Sequence, residues 1–479
     1  MKKYIQNSTN HIFGFALLLL FGTMELSAQR RNLEMAAGTG NPTDNGPVTV
    51  PTGTLSSRVI TLQENTDNAV AGTAFAAYTP GLTATISLRN QYANIGTGST
   101  TYPPMLFGGA LLGNESTPVG DAIFPAMNQI FSAPVNTNYT NTSTATSGTG
   151  IEVSANKALN ITIYPYPLYD NSLSFSGRHY MGDITIAFNR PVNNPIVHFV
   201  DLGAFRTTTY RSSFSTEYDF DLAGSTPSTG ITMSKRSGTN YFSVTSNQIN
   251  HSNIIDPNAG TNGSVQFTGN NITVIKLKIH LRGSSDPGGS NTGSNSYKIW
   301  YNNASPGGRF YFGETVHIGV SLSEIKPSGT IYRDNDGSAT IDGGGTGGGT
   351  WNTANTLYVN AISTTGNVLA TAAVDASGIF TFDPGGNLIA GNVVKFQLSK
   401  NQGIVGQPAP AKELPPGWTT VGESTVGGTS DGTADGEFTV TLGSADISND
   451  STYRFGIVAT AVCNAGTTQV PLNGSTLSN

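Results

Sequence analysis

Helical periodicity is almost absent from this chain. Short apolar or alternating runs bounded by Gly, Asn, Ser and Pro recur instead: "GLTATISL", "LNITIYPY", "GDITIAFNRP", "PIVHFVDL", "YFSVTS", "GSVQFTG", "ITVIKLKIHL" and "VHIGVSLSEI". β-Branched residues at every second position suit a half-buried strand, whose side chains alternate between two faces. In "ITVIKLKIHL", Ile275, Leu277, Ile279 and Leu281 point one way and Lys276, Lys278 and His280 the other, which predicts an antiparallel strand with one wet face. Pro191 and Pro195 bracket "VNN" and predict a turn. In the strand that follows, Val197 and Phe199 alternate with Ile196 and His198, and Asp201 and Gly203 end it. Many such strands separated by turns predict a sandwich.

Two polar tracts, Asn136–Gly150 and Gly283–Tyr297, are too poor in apolar residues to order as core and read as loops. The pattern restarts at "EIKPSGTIY", where Lys326 and Pro327 follow a strand ending at Ile325. Beyond this boundary come "SGTIY", "NTLYVNAI", "VLATAAV", "GIFTF", "VVKFQLS", "EFTVTLG" and "YRFGIVA". Seven strands at this spacing predict one small sandwich. "STTGN" supplies a hairpin turn, and "VDASGIF" another, with Gly378 free to adopt positive φ.

Length and composition agree. A chain of 479 residues exceeds one ordinary core, so two to three domains are expected. Only 11% of residues are charged, Gly numbers 58, and Ser, Thr and Asn recur throughout. Such a neutral, hydroxyl-rich surface suits an extracellular β protein. Net charge is −6 with no basic run after the first residues, so the footprint of a nucleic-acid binder is missing. Residues 1–28 run from Lys2 and Lys3 through an apolar stretch, Ile12 to Gly22, to Ser27 and Ala28. That order predicts a secretory signal peptide cleaved after Ala28. No other segment approaches transmembrane length, so a soluble mature chain on the bacterial surface or secreted from it is expected. Cys463 is the sole cysteine, which excludes an internal disulfide framework.

Candidate chemistry is sparse. The histidines are His11, His179, His198, His251, His280 and His317. Their spacing matches no zinc motif, and strand histidines facing solvent are the default expectation. No G-x-S-x-G elbow occurs, and "GGGTGGG" lacks the Lys-Ser/Thr ending of a phosphate loop. Glu217, Asp219 and Asp221 alternate on one strand face. They could flank a sugar as paired carboxylates or form an ordinary exposed strand face. "YPYPLYD" carries Tyr164, Tyr166, Tyr169 and Asp170. Pro165 and Pro167 are expected to hold this backbone extended. Tyrosines beside a carboxylate suit stacking against a sugar or a protein groove, with an edge strand covering the core as the plainer alternative. In "YRDNDGSATIDGGG", Asp334, Asp336 and Asp342 crowd among glycines. An EF-hand fails, because positions one and twelve would be Tyr332 and Gly343. A calcium loop at a sandwich end, with "DGTADGE" (Asp431 to Glu437) contributing, stands against a merely solvated turn.

The segment from Ser328 to about Val458 resembles the prealbumin-like B domains of bacterial surface adhesins, the SdrD type. The likeness rests on "SGTIYRDNDG", "LYVNAISTTGNVLATAAVDASGIFTF", "FQLSKNQGIVGQPAPAKELPPGWTTVGE" and "YRFGIVA". It implies a rod-like spacer or stalk module, of a kind often stiffened by calcium, that is not an enzyme. "DITIAFNRPVNNPIVHFVDLG", "STEYDFDL", "ITMSKRSGTNYFSVTSNQI" and "GSVQFTGNNITVIKLKIHLRG" are together similar to the lectin-like non-repetitive domain of CshA-type fibrillar adhesins. That resemblance implies a distal domain binding a host or partner-cell glycoprotein or polysaccharide. The expected fold class is therefore all-β. Two consecutive antiparallel β-sandwich domains are expected: a larger lectin-like head over 36–325 and a small prealbumin- or Ig-like stalk over 326–460. Residues 461–479 are expected to be a tail or the start of a further module, in which Cys463 would find its partner. The expected role is non-catalytic adhesion, the alternative a secreted protein that binds or cleaves polysaccharide.

Overall fold

The alternating patterns fold into two successive sandwiches of packed β-sheets. The computed structural model describes residues 32–460 except 49–55, 68–71, 94, 98–99, 110–119, 130–133, 142–149, 175–176, 207–212, 254–259, 284–299, 301–312, 324–325, 334–340, 342–355, 383–386, 390–391, 426–431 and 443–448. Among these residues, the first sandwich has sheets of nine and eight strands. Across the nine-stranded sheet lie Thr232–Gly238, Thr261–Thr268, Ile196–Leu202, Glu314–Ser323, Asn32–Glu34, Gln63–Asn65 and Phe75–Ala77, with Leu159–Ile163 also on Glu314–Ser323 and Met105–Phe107 beyond it. Across the other lie Phe242–Val244, Gln248–His251, Ser213–Phe220, Ile272–Gly283, Arg178–Val192, Thr83–Arg89 and Ser56–Thr61, with Ala204–Arg206 on Ser213–Phe220. All pairs in both sheets are antiparallel. The sheet of Asn32–Glu34 thus begins ahead of Ala36, where the sequence pattern places the start.

The core between the sheets is what the alternation predicts. Ile275, Leu277, Ile279 and Leu281 are fully buried, as are Val197 and Phe199 from the facing sheet. The outer face of the nine-stranded sheet is covered as well. Tyr139 and Ile151 pack with Val200 in a smaller apolar cluster. Tyr139, Thr140 and Asn141 are wholly buried, against the expectation that their polar tract stays out of the core. Hydrogen bonding explains it: the Thr140 amide donates to Ser264 Oγ, and Asn141 donates to Glu34. A buried polar segment is stable when its groups find partners.

The two ends of this sandwich differ. Strand Glu314–Ser323 pairs with Asn32 at its last residue and with Ile163 at its first, roughly 30 Å apart at strand rise. At the Ser323 end, tight turns join Val192 to Ile196 and Thr268 to Ile272. They lock together: Asn194 Oδ1 accepts from the Gly269 amide at 3.0 Å, and Asn193 Oδ1 from the Asn271 amide at 2.9 Å. At the Glu314 end lie Leu202 paired with Thr261, Gly283 paired with Phe214, and Arg178 paired with Arg282. Strands Leu159–Ile163, Gln248–His251 and Ile272–Gly283 also end there.

The second sandwich has two four-stranded sheets. One orders Ile379–Thr381, Lys326–Arg333, Asn449–Ala459 and Trp418–Thr425; the other orders Val368–Ala373, Tyr358–Ser363, Val393–Ser399 and Glu437–Thr441. Its own core is built on Val359, Phe380, Phe382, Phe396 and Phe455. Gly366 and Gly378 take φ of +87° and +78° in the two expected turns. Among the described residues there are eight strands rather than seven. The additional one, Trp418–Thr425, hides its period because buried Glu423 faces the core, where it accepts from the Gly436 amide. The opening strand Lys326–Arg333 and the closing strand Asn449–Ala459 pair in parallel, the one exception to antiparallel pairing among the described strands. No described helix is long and apolar enough to cross a membrane.

Candidate functional site at the far end of the first sandwich

The "YPYPLYD" segment lies at the Glu314 end, directly after Ile163. It is not extended. Tyr166–Asp170 forms a short α-helix, because Pro165 and Pro167 fall where a first turn has no N–H bond to lose and φ is already helical. Tyr164 is fully buried with Tyr102 and Leu106, and burial raises its phenol well above the ordinary range. Tyr166 and Tyr169 are half-buried, their rings 5.6 Å apart, and Asp170 is exposed. The segment beyond is pinned by buried Trp300, whose indole N–H donates to the Leu173 carbonyl at 2.8 Å.

Glu314 closes this end between the sheets. Its carboxyl accepts from the Gly203 amide and the Thr216 hydroxyl. Burial raises its pKa to about 8 despite those bonds. It therefore forms a buried cross-link between the sheets in which burial favours the neutral carboxyl.

The wet face of strand Ile272–Gly283 meets the Glu217, Asp219, Asp221 face, because Glu217 registers with His280 and Asp219 with Lys278. Arg178 and Arg282 both pair with Glu217; Arg178 also grips Asp219 with two donors at 2.8 and 3.0 Å. Lys276 bridges Asp183 and Asp221, each at 3.1 Å, and Lys278 reaches Asp221. Four carboxylates thus meet four cations, and the face is self-neutralised. Burial alone would raise Asp219, but the bonds from Arg178 and Gln248 hold it below its ordinary range. Burial acts likewise on Asp221, and Lys276 overcomes it. Glu217 is only 1% exposed. The three carboxylates are therefore not a simple exposed strand face.

The histidines also depart from expectation. His198, His251 and His317 are buried. His198 sits between Ser264 Oγ at 2.9 Å and Ser321 Oγ at 2.8 Å, with Tyr139 edge-on at 5.8 Å. Burial lowers His198 and His317 to about 3. His280 belongs to the other sheet and faces Asp219 at 3.6 Å, so His198, His280 and His317 do not converge. Among the described residues, no group of three His, Cys, Asp or Glu could hold a metal. Asp334, Asp336 and Asp342, the expected calcium ligands, lie outside the described residues, as do residues 1–28 and Cys463.

Two exposed aromatics at this end escape sequence reading. Tyr92, 39% exposed, donates its amide to the Met181 carbonyl beside Gly182. Tyr241, 36% exposed, stacks on His251 with ring centroids 5.4 Å apart and planes 21° apart. Their only signal is a tyrosine within a turn-rich stretch, "RNQYAN" and "GTNYFS".

No family model matches this chain, and no curated protein matches it in sequence. Two solved structures overlap it weakly. The T6 backbone pilin of serotype M6 Streptococcus pyogenes, described as modular, three-domain and decorated with variable loops and extensions, is 7% identical, covering 91% of this chain and 97% of its own, with a TM-score of 0.16. The BSP domain of a biofilm associated protein is 9% identical, covering 90% of this chain and 100% of its own, with a TM-score of 0.12. Both overlaps are too poor to carry a conclusion about fold or role.

Proposed function

We propose that the chain is an exported bacterial surface adhesin, with the first sandwich as a non-catalytic binding head and the second as a spacer. The observation that carries this reading is where the backbone enters and leaves each sandwich. In the first, the opening and closing strands are antiparallel neighbours that meet at Asn32 and Ser323. The sandwich is therefore entered and left at the short-turn end, and the opposite end is the one assigned to a ligand. In the second, the opening and closing strands are parallel neighbours, so the chain enters at one end and leaves at the other. That is the geometry of a spacer. Recognition loops on a rigid scaffold are a common division of labour. Residues 164–174, with Tyr166, Tyr169 and Asp170, then belong to the binding end, together with Tyr92 and Tyr241.

The ion-paired state of Glu217, Asp219 and Asp221 supports binding over hydrolysis. A glycosidase acid needs a carboxyl raised in pKa beside one kept ionised, whereas Asp219 and Asp221 are both lowered. Polysaccharide and glycoprotein arrays run beside a reducing-sugar assay test the proposal: saturable binding without sugar release is expected, and sugar release would overturn it. Calcium at Asp334, Asp336 and Asp342 remains part of the spacer proposal. Thermal melting with calcium and with chelator tests it, since a ligand at a hundred times its Kd adds roughly 2.7 kcal/mol.

A further inference from the structure

We infer that Tyr241 is a stacking platform for a pyranose ring of a neutral glycan, at the free end of the first sandwich. The inference rests on the head-and-spacer reading. Tyr241 follows strand Thr232–Gly238 of one sheet and precedes Phe242–Val244 of the other, so it marks the corner where the two sheets meet. One face of its ring lies on the buried His251 ring. The ring beneath is itself fixed, because His251 Nδ1 accepts from the Asn253 amide at 3.0 Å. The backbone is fixed too: the Tyr241 carbonyl accepts from the Ser252 amide at 2.9 Å. An aromatic held rigid on one face and open to water on the other presents an apolar plane with no ordering cost on binding.

Around that plane lie small polar side chains and one cation, Lys235, whose ammonium donates to the Thr239 and Phe242 carbonyls. Asn240 and Ser252 are exposed and Asn253 and Thr239 half-buried. Paired donors and acceptors of this kind match the vicinal hydroxyls of a sugar. Arg282 reaches the His251 carbonyl at 3.0 Å and pairs with Glu217, which joins the corner to the self-neutralised face. With its charges already matched, that face gives no reason for the ligand to be ionic. A protein partner would instead look for an apolar anchor pocket. Tyr92 and Tyr241 are the exposed tyrosines described at this end.

The test uses the full chain, with gluco-, galacto- and manno-hexaoses as probes in saturation-transfer NMR. Saturable transfer to at least one probe is expected. Tyr241→Phe should retain it and Tyr241→Ala should weaken it by about tenfold, with an unchanged melting temperature excluding misfolding. No transfer to any probe, or transfer unchanged by Tyr241→Ala, overturns the glycan platform. Attachment of chain-coated beads to a bacterial or host surface separates this failure from failure of the head reading. Attachment lost with Tyr241→Ala supports the platform. Attachment lost only on Ile404→Ser with Val405→Ser, which replaces two exposed apolar side chains of the second sandwich, 69% and 51% exposed, overturns both readings.

Discussion

Asn32 and Ser323 are cross-strand partners, and the Ser323 hydroxyl donates to Asn32 Oδ1 at 2.9 Å. The pair ties the first described strand of the larger sandwich to its last. It brings the start of the opening strand and the end of the closing strand to one side, opposite Glu314.

The opening strand should be essential to that sandwich. Leu33 and Met35 are 0% and 1% exposed. Leu33→Ala should therefore cost about 2–5 kcal/mol, read as a lower urea midpoint for the first of two transitions, with the second sandwich's transition unmoved.

Stability should vary with pH in a defined direction. His198 and His317 drop to about 3 from 6.5, so their contribution is complete above pH 6.5 and is lost as pH falls towards 3. Glu34 and Glu314 rise to about 7 and about 8 from 4.5, so their contribution is complete below pH 4.5 and is lost as pH rises through 7 to 8. The two trends oppose each other between pH 4.5 and 6.5, and a broad maximum is expected there. Glu314→Gln, which cannot ionise, should raise Tm relative to the parent at pH 8.5 and leave it nearly unchanged at pH 5. Equal shifts at both values would contradict the assignment.

The charge network should behave as a unit. Arg178→Met and Glu217→Gln should show a coupling of about 0.5–3 kcal/mol in a double-mutant cycle. The coupling should persist in half-molar salt, because Glu217 is withdrawn from solvent and buried pairs are little screened. A coupling that vanishes with salt would mean that the pair is a surface contact.

The larger plan of the fold is legible in the sequence because burial there follows period two. Ile275, Leu277, Ile279 and Leu281 alternate with charged residues, and the structure buries the first set and pairs the second with carboxylates. Buried polar groups leave no such period. His198 between two serines, Asn141 on Glu34 and Glu423 in the second core all look like surface residues by type, and their partners lie far along the chain. The candidate binding end is less legible still. "YPYPLYD" reads as extended by its prolines, yet the prolines start a helix. Tyr241 gains its meaning only from His251, a partner that the sheet pairing brings beside it.

Attachment by each sandwich alone tests the division of labour most directly. Beads carrying residues 32–325 should bind saturably to a polysaccharide or glycoprotein surface, while beads carrying residues 326–460 at equal density should not. Attachment by residues 326–460 alone, with none by residues 32–325, would contradict the assignment of head and spacer.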